Sequence, residues 1–381
     1  MRILVIVNLF PPLHAGTFEF RCEAVTALLQ KRGHEIHVLT SKYGLNTEQR
    51  DPEIARRLIL NGRYEQPLVT GFGDLKQIEE HNNDVVRETI QSYQPELIYV
   101  WSLQGISKSI VFTLRNTKIP TVYDVADDWI LHGLREDPWL RWWNRPKAPV
   151  FGGIWRSMLE LTRQRDKINA RIPTQLTKGY DRVPEVYGDP INLEIADSVQ
   201  PGSIGAFHFD RLYFCSQALK EETDNAGFRV AHAEVIYPGI PTEKFWTEPR
   251  PVVATPKKFL IVSRLTSKSG VMTALQAVKL ARENNVPANL SVYGRGESEQ
   301  MAQMRSYVIQ HSLPVEFLAV SNQQKDLAQI YRQHDAFIYC AEWDEPFAVT
   351  PLEAMASGIP VIAAGSGGVR ELLRSGENGW V

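Results

Sequence analysis

Cysteine is scarce in this chain. The 381 residues hold three, Cys22, Cys215 and Cys340, far apart and at no metal-ligand spacing. That excludes a disulfide framework and a Cys-rich metal site, and it fits a reducing, cytoplasmic setting. An excess of charge is also missing: 42 Lys and Arg against 44 Asp and Glu leave a net charge of -2. No global field then favours nucleic acid, and any anion binding must come from local clusters. No apolar run approaches the ~20 residues that span a bilayer. The opening run Ile3–Val7 is short and meets Pro11-Pro12 with no small-residue cleavage site. It reads as a first buried strand, not a signal peptide. The first strand-to-helix loop, Asn8 to Thr17, lacks G-x-G-x-x-G, and Gly294-Arg295-Gly296 lacks the third glycine. Both absences argue against a nicotinamide or flavin site.

What is present is ordinary globular material, 43% hydrophobic and 23% charged, enough for a sizeable core and two or three domains. Ile3–Val7 and Ile36–Thr40 flank a helical pattern over Phe18–Lys31 that Gly33 ends. This is a βαβ unit. Strands follow at Leu97–Trp101, Thr121–Val125, Arg211–Cys215 and Glu234–Tyr237, with a helix near Lys108–Arg115. A stretch of about 131–205, rich in Trp, Arg and Pro, breaks the rhythm and reads as an insertion. Pro249, Pro251 and Pro256 mark a linker. After it, strands at Phe259–Val262, Asn289–Tyr293, Val315–Leu318, Ala336–Cys340 and Pro360–Ala363 alternate with helices. The fold class is therefore α/β, two Rossmann-like doubly wound domains, 1–245 and 246–381, expected to face a cleft at the carboxyl ends of their strands.

Candidate chemistry gathers in the second domain. Ser263-Arg264-Leu265 ends a strand, with Lys268 close behind; Arg grips a diphosphate bidentately and Lys adds a point charge. In Glu345-Pro346-Phe347-Ala348-Val349-Thr350-Pro351-Leu352-Glu353, two carboxylates with seven residues between them flank a helix start. Carboxylates accept hydrogen bonds from vicinal hydroxyls. The amides of Phe347, Ala348 and Val349 face phosphate at a helix N-terminus. Gly16 precedes the first helix in the same way. A solvated basic loop, two surface glutamates and a plain turn are the competing readings of these three features.

Together, Glu345, then Glu353-Ala354-Met355-Ala356-Ser357-Gly358-Ile359-Pro360-Val361, Gly367-Gly368-Val369-Arg370-Glu371 and Asn378-Gly379 resemble the retaining family 4 glycosyltransferases of the sucrose synthase and mannosyltransferase group, with the GT-B fold. Pro11-Pro12, Gly16, Arg32-Gly33-His34-Glu35 and Ile236-Tyr237-Pro238-Gly239 extend the resemblance over nearly the whole chain outside the insertion. It implies sugar transfer from a nucleoside diphosphate sugar to a carbohydrate or lipid-linked acceptor hydroxyl, with retained configuration. It also implies roles: Glu345 on the sugar hydroxyls, Glu353 on the ribose, and Arg264 on the diphosphate. Gly16 stands for the second of a glycine pair whose first is Ala15 here.

Three departures stand out. The diphosphate lysine position, five residues after Arg264, is Ser269, so Lys268 is the candidate. The position of the family's histidine holds Ala126, which leaves Asp127 as the candidate near the reacting carbon. The chain also stops at Val381, where such enzymes usually continue, so the C-terminal helices are expected to be missing. No D-x-D is present, so neither a metal nor a separate cofactor is expected. A non-catalytic sugar-nucleotide-binding protein and a GT-B epimerase are the alternatives. Trp139, Trp142 and Trp143 among Arg141, Arg145 and Lys147 fit three readings: inward packing, acceptor stacking, or peripheral contact at the inner face of a membrane.

Overall fold

The structure is a computed structural model. It describes residues 1–14, 16–43, 51–63, 66–131, 133, 137–140, 154, 157–159, 161–173, 209, 211–226, 230, 233–245, 253, 255–318 and 327–381. The described chain forms two units. The first is Met1–Cys215 with Leu219–Ile236, and the second is Ser216–Ala218 with Tyr237–Val381.

The first unit is built on a parallel sheet of seven strands in the order β3-β2-β1-β4-β5-β6-β7. These are β1 (Arg2–Val7), β2 (Glu35–Ser41), β3 (Ile54–Leu58), β4 (Leu97–Ser102), β5 (Thr121–Val125), β6 (Arg211–Phe214) and β7 (Glu234–Val235). Its helices are α1 (Phe18–Lys31), α2 (Phe72–Tyr93), α3 (Ile110–Asn116), α4 (Gln164–Arg171) and α5 (Gln217–Asn225). Ile3, Val5 and Val7 of β1 bury against Cys22 of α1, Ile36, Val38 and Trp101. Continuous apolar strands of this kind need cover on both faces, which crossover helices supply.

The sequence pattern misses β3 and the 22-residue α2. The buried face of α2 carries Glu79, Asn82, Asn83 and Thr89 beside Leu75, Val85 and Val86, so the apolar period of 3.6 is broken. The polar groups are paired instead. Asn82 exchanges two hydrogen bonds with the Ile59 backbone, at 2.8 and 2.9 Å, and donates to Ser107. Asn83 donates to Ser109 Oγ at 2.7 Å. Burial pushes Glu79 up to about 8, which favours its neutral form at pH 7. Short β3 contains Arg56 and Arg57 at the sheet edge, where charge is tolerated.

Arg21 and Asp124 form an ion pair at 2.6 Å that ties α1 to β5. Tyr213 also donates to the same Asp124 oxygen at 2.9 Å. Of the Trp-rich segment, Trp139 and Leu140 are fully buried, and Trp139 stacks on Phe72 with ring centroids 5.7 Å apart. Inward packing holds for these two. Arg141, Trp142, Trp143, Arg145 and Lys147, and most of the insertion, lie outside the described residues. Among the described residues no helix is long and apolar enough to cross a membrane.

The second unit is a parallel sheet of six strands in the order β10-β9-β8-β11-β12-β13. Its strands are β8 (Lys258–Val262), β9 (Asn289–Tyr293), β10 (Val315–Leu318), β11 (Ala336–Tyr339), β12 (Val361–Ala363) and β13 (Gly379–Trp380). Its helices are α6 (Thr242–Phe245), α7 (Val271–Glu283), α8 (Ser298–Gln310), α9 (Leu327–Arg332) and α10 (Val349–Ala356). Each unit is thus an α/β, Rossmann-like layer structure. The division falls after Ile236 rather than at 245, because Phe245 of α6 packs into the second core against Tyr331.

Candidate donor site

In the six-stranded sheet the strand order reverses between β8 and β11. Loops leaving the carboxyl ends of two such strands diverge and open a crevice, the usual place for a ligand in open α/β sheets. The loop after β8 carries Arg264 and Lys268, and the loop after β11 carries Glu345. The fold therefore brings these three to one switch point.

Close backbone contacts hold the two loops. Gly270, at φ +69°, starts α7 so tightly against β11 that a Cβ there would lie 1.6 Å from the Cys340 carbonyl oxygen. The Glu342 amide donates to the Lys268 carbonyl at 2.9 Å. Gly367 donates to Asp344 Oδ1 at 2.8 Å, and Gly368 donates to the Glu345 carbonyl at 3.0 Å. The Gly367-Gly368 pair is thus a clamp on the Glu345 loop, with no room for a Cβ at either position. Glu371, the last residue of that motif, accepts from the Gln217 and Ala218 amides at 2.9 and 2.8 Å and from the Tyr237 hydroxyl at 2.7 Å.

Arg264 and Lys268 are exposed at the loop surface. Ser269 is buried, and its hydroxyl donates to the Thr266 carbonyl at 2.7 Å. It faces its own turn, and Lys268 is the exposed cation of that turn. Phe347 and Ala348 are buried, and Val349 is the first residue of α10. No side chain caps that helix, and Ala348 takes the N-cap position in an extended conformation. The uncapped first-turn amides offer donors and the positive end of the helix dipole to an anion.

The two glutamates differ from surface charges. Glu353 is 8% exposed, and its Oε2 accepts from the Tyr331 hydroxyl at 2.8 Å. Burial pushes its carboxyl up to about 7 from an ordinary 4.5, against the opposing hydrogen bond. Glu345 is half-buried; burial raises its carboxyl, while the Tyr339 phenol and the Arg264 charge hold it down. Between about pH 4.5 and 7 folded Glu353 keeps a proton that the unfolded chain has released. Its contribution to folding therefore declines as pH rises through that window, while the carboxylate able to accept two hydroxyls appears. Affinity for any ligand whose hydroxyls donate to the Glu353 carboxylate should rise by about tenfold between pH 6 and 8, read by titration calorimetry, and Glu353→Gln should flatten the rise.

Gly16 and Asp127 belong to the first unit. Gly16 precedes α1 at the carboxyl end of the β1 loop, with its amide donating to Glu19 at 3.2 Å. Asp127 follows β5, accepts from Ser102 Oγ at 2.7 Å and the Trp129 amide at 2.8 Å, and is pushed up to about 7 by burial. Both of its oxygens thus have partners that shape the turn. Sequence reasoning overlooked Tyr331 and Tyr339, because an aromatic in a buried helix or strand reads as core. It also overlooked Lys108, a fully packed lysine whose Nζ donates to the Leu103 and Ile106 carbonyls at 2.6 and 2.8 Å.

Residues 243–381 match the family described as Glycosyl transferases group 1. Among curated proteins, the Amylovoran biosynthesis glycosyltransferase AmsK of Erwinia amylovora is 28% identical over 149 residues, 38% of this chain and 36% of that protein. The Glycogen synthase of Mycobacterium tuberculosis is 28% identical over 173 residues, 45% of this chain and 41% of that protein. The matched stretch thus spans less than half the length of either. Among solved structures, Anabaena Alr3699/HepE in complex with UDP-glucose superposes with a TM-score of 0.59 at 18% identity, over 100% of this chain and 85% of that one. The second unit is therefore similar to the Glycosyl transferases group 1 family over residues 243–381, and the two parallel-sheet units have the α/β architecture of the GT-B fold.

Proposed function

We propose that this protein is a glycosyltransferase that moves a sugar from a nucleoside diphosphate donor to an acceptor hydroxyl in glycan or glycoconjugate synthesis, with retention of configuration. The observation that carries the reading is the switch point of the second sheet, where the loop after β8 brings two exposed cations and the loop after β11 brings half-buried Glu345, an uncapped helix start and buried Glu353. Glu345 accepts hydrogen bonds from the sugar's hydroxyls, and Glu353 accepts them from the ribose diol. Arg264, Lys268 and the amides of Phe347, Ala348 and Val349 take the diphosphate and offset the charge that grows on it as the glycosidic bond breaks. The resemblance to family 4 assigns Gly16 to the donor and Asp127 to the neighbourhood of the reacting carbon. It also assigns the departing diphosphate the role of drawing the proton from the acceptor hydroxyl on the same face.

Positioning and fixed charge then account for catalysis, with no enzymic nucleophile and no divalent metal. The test is donor turnover in excess chelator. Activity should persist, and the anomeric configuration of the product, read by NMR, should match the donor's. Loss of activity that added Mg or Mn restores would contradict the metal-free reading, and an inverted anomer would contradict retention.

A further inference from the structure

Tyr339 is the last residue of β11, in register with Ala363 of β12, and its carbonyl accepts from the Ala364 amide at 2.8 Å. The residue is 7% exposed and belongs to the second core beside Phe337, Ala341 and Val361. An apolar side chain would satisfy that environment. A phenol there needs a partner for its hydroxyl, and the partner is Glu345 Oε2. Glu353 has a parallel arrangement with Tyr331, but Tyr331 also reaches the Thr350 carbonyl, at 3.3 Å, and so bridges α9 and α10. Among the described residues, the Tyr339 hydroxyl bonds to the loop glutamate alone.

We propose that Tyr339 is a positioning residue for Glu345. Its phenol O–H occupies Oε2, fixes the carboxylate plane and leaves Oε1 to meet a hydroxyl of the bound sugar. This rests on the transferase reading above. A glutamate on a loop has several rotamers, and each must be frozen out before its oxygen serves as an acceptor. The clamp of Gly367 and Gly368 fixes the backbone of that loop, and the rigid strand residue fixes the side chain. Arg264 offers charge to Glu345 from an exposed position, which cannot set the plane in the same way.

The experiment measures kcat and KM across pH 5–9 for the full chain, Tyr339→Phe, and Tyr339→3-fluorotyrosine, whose phenol is the stronger donor. The donors are UDP-glucose, UDP-galactose, GDP-mannose and ADP-glucose, each with release of nucleoside diphosphate as the readout. Tyr339→Phe should keep its melting temperature within a few degrees and its KM within about threefold, lower kcat by roughly 10–100-fold, and move the acidic limb of the pH profile upward. The fluorinated protein should move that limb downward. A core role without positioning predicts none of these shifts, and an unchanged kcat and pH limb in a folded Tyr339→Phe protein would overturn the inference while leaving the functional reading intact. No turnover of any of the four donors by the unaltered chain would instead fail the functional reading, and this inference with it.

Discussion

Glu345→Ala is expected to lower kcat for donor turnover by about 10²–10³-fold, the loss typical when one fixed polar contact to a transition state is removed. The folded structure should survive. The lost carboxylate is a half-buried loop group whose burial opposes its own charge, and the principal structural cost is an unpartnered Tyr339 hydroxyl, about 1–3 kcal/mol. Glu353→Ala should act differently. It leaves the Tyr331 phenol still within reach of the Thr350 carbonyl, and it should weaken nucleotide binding by roughly 1.5–3 kcal/mol, the range for a hydrogen bond to a charged group. Steady-state kinetics beside calorimetry of nucleoside diphosphate binding separates the two. Wild-type kcat in Glu345→Ala would remove that residue from the chemistry.

Gly270→Ala is expected to be the most damaging small substitution in the second unit. The added Cβ would sit 1.6 Å from the Cys340 carbonyl oxygen at a backbone φ of +69°. The left-handed conformation alone costs a non-glycine residue about 1–2 kcal/mol, and overpacking against rigid backbone adds about 1–3 kcal/mol. Together they amount to a drop of roughly 10 °C in melting temperature for a unit of this size. Gly33→Ala is the control, since Gly33 has φ +84° but nothing within 4 Å of an added Cβ. It should lose only the conformational part. Equal melting shifts for the two variants would show that the contact between Gly270 and β11 does not constrain the site.

Much of this molecule can be read from the sequence where hydrophobic runs coincide with strand ends. Phe18–Lys31, Thr121–Val125, Asn289–Tyr293 and Val315–Leu318 are found where the pattern places them. The failure at Phe72–Tyr93 has a physical cause: Glu79, Asn82 and Asn83 face inward and are satisfied by Ser107, Ser109 and the Ile59 backbone, partners that lie far along the chain. The candidate motif is legible in the sequence through the spacing of Glu345, Glu353 and the Gly367-Gly368 pair. Their tyrosine partners were not, because Tyr331 precedes Glu353 by 22 positions and Tyr339 precedes Glu345 by 6, and neither spacing is a signal until the sheet is assembled. At Ser269 the hydroxyl closes its own turn. The substitution of Ala126 for a histidine has no structural explanation in its own unit.

The protein is expected to take a nucleoside diphosphate sugar and break its glycosidic bond at the switch point of the second sheet. The most direct measurement is the release of nucleoside diphosphate from UDP-glucose, UDP-galactose, GDP-mannose and ADP-glucose by the purified protein, with Glu345→Gln run in parallel. The account expects release from one of these donors, faster when a sugar acceptor is supplied, and a loss of about 10²–10³-fold in Glu345→Gln with the nucleotide still bound. Release from a donor that proceeds equally well in Glu345→Gln, or no release and no binding of any donor by the intact chain, would contradict it.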